Sequence, residues 1–101
     1  MKSVLLRVKE GKLDTWKTWC VFLVRHESEI LDTLKSENCV RETGILFELE
    51  GNYYVYGAME FLGEPKQADF TVEINRQHRE TLRDCLELVS KGEILFDFKI
   101  Q

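Results

Sequence analysis

Residues 45–61 read Ile45-Leu46-Phe47-Glu48-Leu49-Glu50-Gly51-Asn52-Tyr53-Tyr54-Val55-Tyr56-Gly57-Ala58-Met59-Glu60-Phe61. Two runs rich in β-branched, aromatic and other apolar residues flank Gly51-Asn52. Both of those residues tolerate the positive φ that tight hairpin turns need, so the stretch reads as a β-hairpin. Its register is open. A strict two-residue loop at Gly51-Asn52 pairs Leu49 with Tyr54 and Phe47 with Tyr56. A three-residue loop with a bulge puts Phe47 and Leu49 beside Tyr53 and Val55, and the bulged register is the one carried forward here. A one-residue slip would send every side chain of a strand to the other face of the sheet. Gly57, inside the second run, marks a further bulge or a close approach by another group.

Working outward, Val4, Leu6 and Val8 alternate with Leu5, Arg7 and Lys9, which is the period of a strand. Residues 13–34 contain neither proline nor glycine. Leu13, Trp16, Cys20, Leu23, Glu27, Leu31 and Leu34 fall on one helical stripe, with Asp14 as a candidate N-cap. A helix of that length in a small domain is expected to project or kink near His26 and Glu27. After the hairpin, Gly63-Glu64-Pro65 breaks the chain and a helical turn is expected over residues 66–70. Residues 74–89 read as a second helix, buried through Leu82, Leu86 and Val89 with Cys85 beside them, and stopped at Lys91-Gly92. Residues 93–100 alternate Ile94, Phe96, Phe98 and Ile100 against Leu95, Asp97 and Lys99, so they read as a fourth strand.

The order β-α-β-β-α-β predicts an α+β domain of the ferredoxin-like kind: a four-stranded antiparallel sheet with both helices on one face. The whole chain, residues 1–101, reads as this single domain. The face of the sheet away from the helices is expected to carry Leu5, Arg7, Leu46, Glu48, Tyr54, Tyr56, Leu95 and Asp97. That surface is too rich in aromatics to be left in water, and a homodimer that places a second sheet against it is the expected solution, with Arg7 meeting Glu48 or Asp97.

Composition narrows the function classes. The net charge of −4, with Lys and Arg scattered among acids, argues against nucleic acid as a partner. No apolar run approaches the roughly 20 residues of a membrane helix, and charges at Lys2, Arg7, Lys9 and Glu10 leave no signal-peptide core. A cytoplasmic location is expected. Cys20, Cys39 and Cys85 are odd in number and form no Cys-x-x-Cys pair, so reduced, mostly buried thiols are expected rather than a metal site. No cofactor is called for.

The chemistry-bearing candidates are His26, Glu27 and His78 as catalytic groups. His78 lies one turn before Leu82 on the inward stripe of the second helix, and that stripe continues backward through Asn75 and Thr71. An imidazole there is either a core histidine satisfied by its neighbours or a proton-transfer group lining a pocket. His26 borders the stripe of the first helix near Trp19 and Phe22, and packing on those rings is its plainer reading. Glu27 sits on the stripe itself, so it is either wet where the helix leaves the core or a carboxyl of raised pKa in a polar hollow. Trp16 and Trp19 would supply a stacking wall for a sugar ring or a flat organic ligand, with Thr71 and Asn75 as polar ligand contacts. Glu48 and Glu60 share a face only in the bulged register, where solvated or dimer-facing charge is the plainer reading than paired-carboxylate chemistry.

The strand order, the helix lengths and the apolar second face resemble the dimeric α/β-barrel superfamily, which includes small cofactor-independent monooxygenases, haem-degrading monooxygenases and the L-rhamnose mutarotases. The stretch Arg25-His26-Glu27-Ser28 followed by Ile30, Leu31 and Leu34, together with Ile45, Phe47 and the Tyr53–Tyr56 run, is similar to the mutarotase pattern over about half the chain. The resemblance implies a proton-moving role at the sugar's anomeric centre for His26. The tyrosine that assists it in mutarotases falls on Phe22 here, and the family's tryptophan pair falls near His78-Arg79. Likeness to the haem-degrading members would make His78 an axial ligand. The overall likeness is nearest to small bacterial proteins with no assigned activity. The resulting expectations are a small-molecule-binding protein or minor enzyme of mutarotase or isomerase type, a non-catalytic dimerisation or ligand-sensing module, or a haem-binding monooxygenase-like protein.

Overall fold

The structure, a computed structural model, describes residues 1–100. In chain order it has β1 (Lys2–Val8), α1 (Leu13–Arg25), α2 (Glu27–Ser36), β2 (Cys39–Leu49), β3 (Asn52–Phe61), α3 (Glu73–Cys85) and β4 (Leu86–Lys91). The four strands form one antiparallel sheet in the order β2-β3-β1-β4. Over the described residues the protein is therefore an α+β fold with three helices.

The hairpin forms, but in neither expected register. Its two-residue loop is Glu50-Gly51, with Leu49 opposite Asn52, Phe47 opposite Tyr54 and Ile45 opposite Tyr56. Glu50 and Gly51 take φ of 53° and 80°, the double left-handed conformation whose twist matches that of the flanking strands. Opposed residues share a face. Leu46 pairs with Val55, which is buried in the core, so Leu46 and Glu48 lie on the helix side and Ile45, Phe47 and Leu49 on the outer side. The Glu48 carboxylate beside Tyr53 holds the phenol pKa up, as expected for side chains on one face. A Cβ at Gly57 would meet a Val4 methyl at 3.4 Å, an ordinary van der Waals distance, and both ladders run through Gly57 without a register shift, so it marks no bulge.

The helix expected over residues 13–34 is two helices joined at His26, whose φ of −112° and ψ of 33° end α1. The interruption is slight, since His26 N–H donates to the Phe22 and Leu23 carbonyls and Ile30 N–H donates to the His26 carbonyl. It is a kink at the expected place. No helical turn forms over residues 66–70.

The last strand is displaced from its expected position. α3 stops at Cys85, and Leu86 turns directly into extended backbone at φ −126° and ψ 151°. Residues 86–91 pair with β1, and the ladder is bounded by Lys9 N–H to the Cys85 carbonyl at 2.8 Å and Gly92 N–H to the Ser3 carbonyl at 2.7 Å. Leu86, Leu88 and Ser90 fit period two as well as Leu82, Leu86 and Val89 fit a helix. Local pattern could not separate the two, and the unpaired edge of β1 decides for the strand. Residues 93–100 consequently stand outside the sheet.

Val8, Trp16, Val55, Cys85 and Leu86 form the core, with Leu6, Leu13, Trp19, Cys20, Tyr53 and Leu82 packed around them. α1 and α3 thus lie against the sheet face that carries Leu6, Val8, Tyr53 and Val55. On the opposite face Arg7 reaches Glu87 at 3.5 Å and Asn52 at 3.2 Å, rather than Glu48 or Asp97.

Candidate functional site between α2, α3 and β2

α3 presents Ile74, His78, Leu82 and Cys85 at helical spacing on its inward side. Ile74 and Cys85 are fully packed, and His78 between them is only partly exposed. The indole N–H of Trp19 on α1 donates to His78 Nδ1 at 2.8 Å. Tryptophan can only donate, so Nδ1 carries the lone pair and the ring proton sits on Nε2. Burial lowers the His78 pKa, which keeps the imidazole neutral. The ring is therefore held as a hydrogen-bond donor through Nε2. It becomes a base only if Trp19 lets go.

That imidazole lines a cavity of about 240 Å³. Asn75, Arg79 and Leu82 of α3 form one wall, and Leu34 of α2 with Glu37 at its end another. Glu42 of β2 and the connection carrying Ala68 and Phe70 complete it. Glu42 reaches the cavity because it shares the helix-side face of β2 with Gly44 and Leu46. Glu37, the C-cap of α2, is buried. Its carboxyl pKa is raised by desolvation first and by the nearby Glu42 charge second. Glu42 opens to solvent at the rim, yet the surrounding protein still removes enough water to raise its pKa. Two carboxyls of raised pKa thus share a small hollow with a neutral imidazole. The Arg79 guanidinium lies over the Phe70 ring at 3.8 Å, and its buried Nε has no partner. A buried N–H without an acceptor costs about 1–3 kcal/mol.

The remaining candidates lie elsewhere. Trp19 backs the cavity through His78 without lining it. Trp16 is in the core, 6.3 Å from His78 between ring centroids. Thr71 is tied to Asp69, its N–H at 2.9 Å and its hydroxyl at 2.7 Å from Oδ1. His26 stacks on Phe22 at 4.0 Å, and Phe22 stacks on Trp19 at 4.9 Å. Its Nδ1–H donates to the Phe22 carbonyl at 2.8 Å. His26 and His78 therefore stand at opposite ends of a row of rings and do not open onto one hollow. Glu27, in the first turn of α2, is exposed. A larger depression of about 550 Å³ runs past Arg7, Lys9, Gly11 and Tyr53, and holds no histidine, tryptophan or orphaned polar atom.

Sequence reasoning missed Glu37, Glu42, Arg79 and Phe70. Glu37 follows the amphipathic stretch in a polar run, Lys35-Ser36-Glu37-Asn38, which carries no signal of burial. For Glu42 a signal existed: it alternates with Gly44 and Leu46, and the correct hairpin register would have turned all three inward.

A family model described as a family of unknown function, DUF6176, matches residues 1–99. The chain belongs to the DUF6176 family. No curated protein and no solved structure matches it. Among the described residues of this DUF6176 chain no helix is long and apolar enough to cross a membrane.

Proposed function

We propose that this DUF6176 chain binds one small polar organic molecule in the cavity beside His78 and is equipped to move a proton on it. The observation that carries the reading is one hollow lined by an imidazole that Trp19 locks as its Nε2–H tautomer and by the two carboxyls Glu37 and Glu42. In such a site His78 Nε2–H and the Arg79 Nε–H hydrogen-bond an oxygen of the ligand that gains charge. One carboxyl gives a proton while the other, ionised, accepts one. On a cyclic sugar, the donor protonates the ring oxygen as the acceptor takes the proton of the anomeric hydroxyl. The ring opens to a carbonyl and can reclose on either face. A carbonyl compound that enolises needs the same two groups. The volume equals roughly eight waters, room for a single sugar-sized or aromatic ring. That size gives the haem reading no comparable support. The mutarotase-like activity thus rests on His78, Asn75, Glu37, Glu42 and Arg79 in preference to His26 and Glu27.

The same reading takes the fold as ferredoxin-like and its assembly as a homodimeric α/β barrel. What supports it is the strand order, the helices against one face, and the apolar side chains on the other, where Ile45 is 44% and Phe47 52% exposed. Three free thiols support a cytoplasmic location.

The test is a ¹H–¹⁵N titration of the protein against aldoses and small hydroxy- and oxo-aromatic compounds, with anomer exchange followed by magnetisation transfer. Saturable shifts should centre on Asn75, His78 and Arg79 for one compound class and vanish in Arg79→Ala. A folded protein whose cavity resonances respond to none of them would overturn this function, and the non-catalytic dimerisation module would take its place.

A further inference from the structure

Ile94, Leu95, Phe96, Phe98 and Ile100 are 51%, 83%, 75%, 89% and 98% exposed. They belong to a segment with strand periodicity that forms no strand here. Gly92 N–H makes the last ladder bond to β1, and among the described residues none in 93–100 makes a backbone hydrogen bond. Five large apolar side chains and eight residues of unpaired backbone are left on the surface of an 11.9 kDa chain. Water alone is a poor partner for that combination.

The opposite edge of the sheet has the complementary lack. β2 is an edge strand of 11 residues with one side of its backbone unpaired. Long edges are normally blunted by proline, charged side chains (lysine above all) or bulges. β2 has neither proline nor lysine; of its charges Arg41, Glu42 and Glu48 only Glu48 lies in the half that carries Ile45, Phe47 and Leu49, and its one irregularity lies at Cys39/Arg41, away from that half. We propose that residues 93–100 form an added β-strand along the β2 edge of a second copy of this chain, exchanged reciprocally about a twofold axis. The inference deepens the homodimer of the proposed function and rests on it.

The arm cannot serve its own β2 in this way. A strand on the free edge of β2 would lie four strand spacings of about 4.8 Å from β4, and that crossing would use about six of the eight residues at about 3.3 Å per residue. Too few would remain to pair along the edge. A second copy supplies the edge without the crossing. The size is also right. At roughly 150 Å² for each large side chain, two exchanged arms withdraw on the order of 1,500 Å², the scale of a standard specific interface. Phe96 and Phe98, already stacked at 5.5 Å, would lie together across the seam.

Light scattering of the full chain, of a chain ending at Gly92 and of Phe96→Glu/Phe98→Glu tests this, with circular dichroism to confirm that each is folded. The full chain should be a dimer, and both variants should raise its dissociation constant by roughly a hundredfold or more. In a dimer mixed from labelled and unlabelled protein, isotope-filtered NMR should show contacts from residues 94–100 of one copy to residues 41–49 of the other. A full chain that stays monomeric at micromolar concentration overturns the exchange and the homodimer together. A dimer that survives loss of the arm undiminished overturns the exchange alone. If the variants do not fold, the filtered spectrum of the unaltered chain decides, and absence of contacts between copies overturns the proposal. None of these outcomes bears on the cavity.

Discussion

Replacing Trp19 by Phe probes the bond that makes His78 what it is. The phenyl ring keeps the stack with Phe22 but lacks the N–H that, among the described residues, alone donates to His78 Nδ1. Two consequences follow, and their sizes come from the same hydrogen bond. The buried acceptor is stranded, which costs about 1–3 kcal/mol of stability. For a domain of this length that lowers Tm by roughly 4–8 °C per kcal/mol. Protonation of Nδ1 also becomes easier, because in the native protein it requires breaking the bond to a group that cannot accept. A net bond of about 1 kcal/mol opposes protonation by roughly fivefold, so the variant should bind its proton that much more tightly than the parent. Burial still depresses the pKa in both proteins. Urea unfolding measures the first effect, and long-range ¹H–¹⁵N spectra of the imidazole across pH measure the second. In the parent they should show the proton on Nε2. A parent spectrum with the proton on Nδ1, or a variant whose imidazole titrates unchanged, would refute the assignment of the site.

Two other perturbations test the frame around the cavity. Glu50→Asn places Asn-Gly at a turn that needs two positive φ values, so it should stabilise the protein by about 0.5–1 kcal/mol in chemical denaturation; a loss would contradict the Glu50-Gly51 loop. Glu37→Gln removes a carboxyl whose folded pKa is raised. Such a group favours the folded state below its unfolded pKa, and that contribution is lost as pH rises through the folded value. The variant should therefore be more stable than the parent at pH 7, with the gap closing as pH falls toward 4. A gap that widens on acidification would show that Glu37 is ionised and paired instead. His78 works in the opposite sense, since its depressed pKa costs stability as pH falls below about 6.5.

Amphipathic period was enough to place β1, the kinked helix, the existence of the hairpin and His78 on the inward side of its helix. Those features depend on neighbours a few residues away. Three things lay beyond it. In residues 45–49 the set Ile45, Phe47 and Leu49 is wholly apolar and the set Leu46 and Glu48 only half so, yet the turn geometry at Glu50-Gly51 and Val55 in the core turn the second set inward. Residues 86–91 fit either helix or strand, and the choice fell to the backbone of β1, some eighty residues away. The cavity joins Glu37, Glu42, His78 and Arg79 from three elements that meet only when the sheet is assembled. Local chemistry tells which faces are greasy, whereas pairing and burial, being long-range, tell which of them is covered.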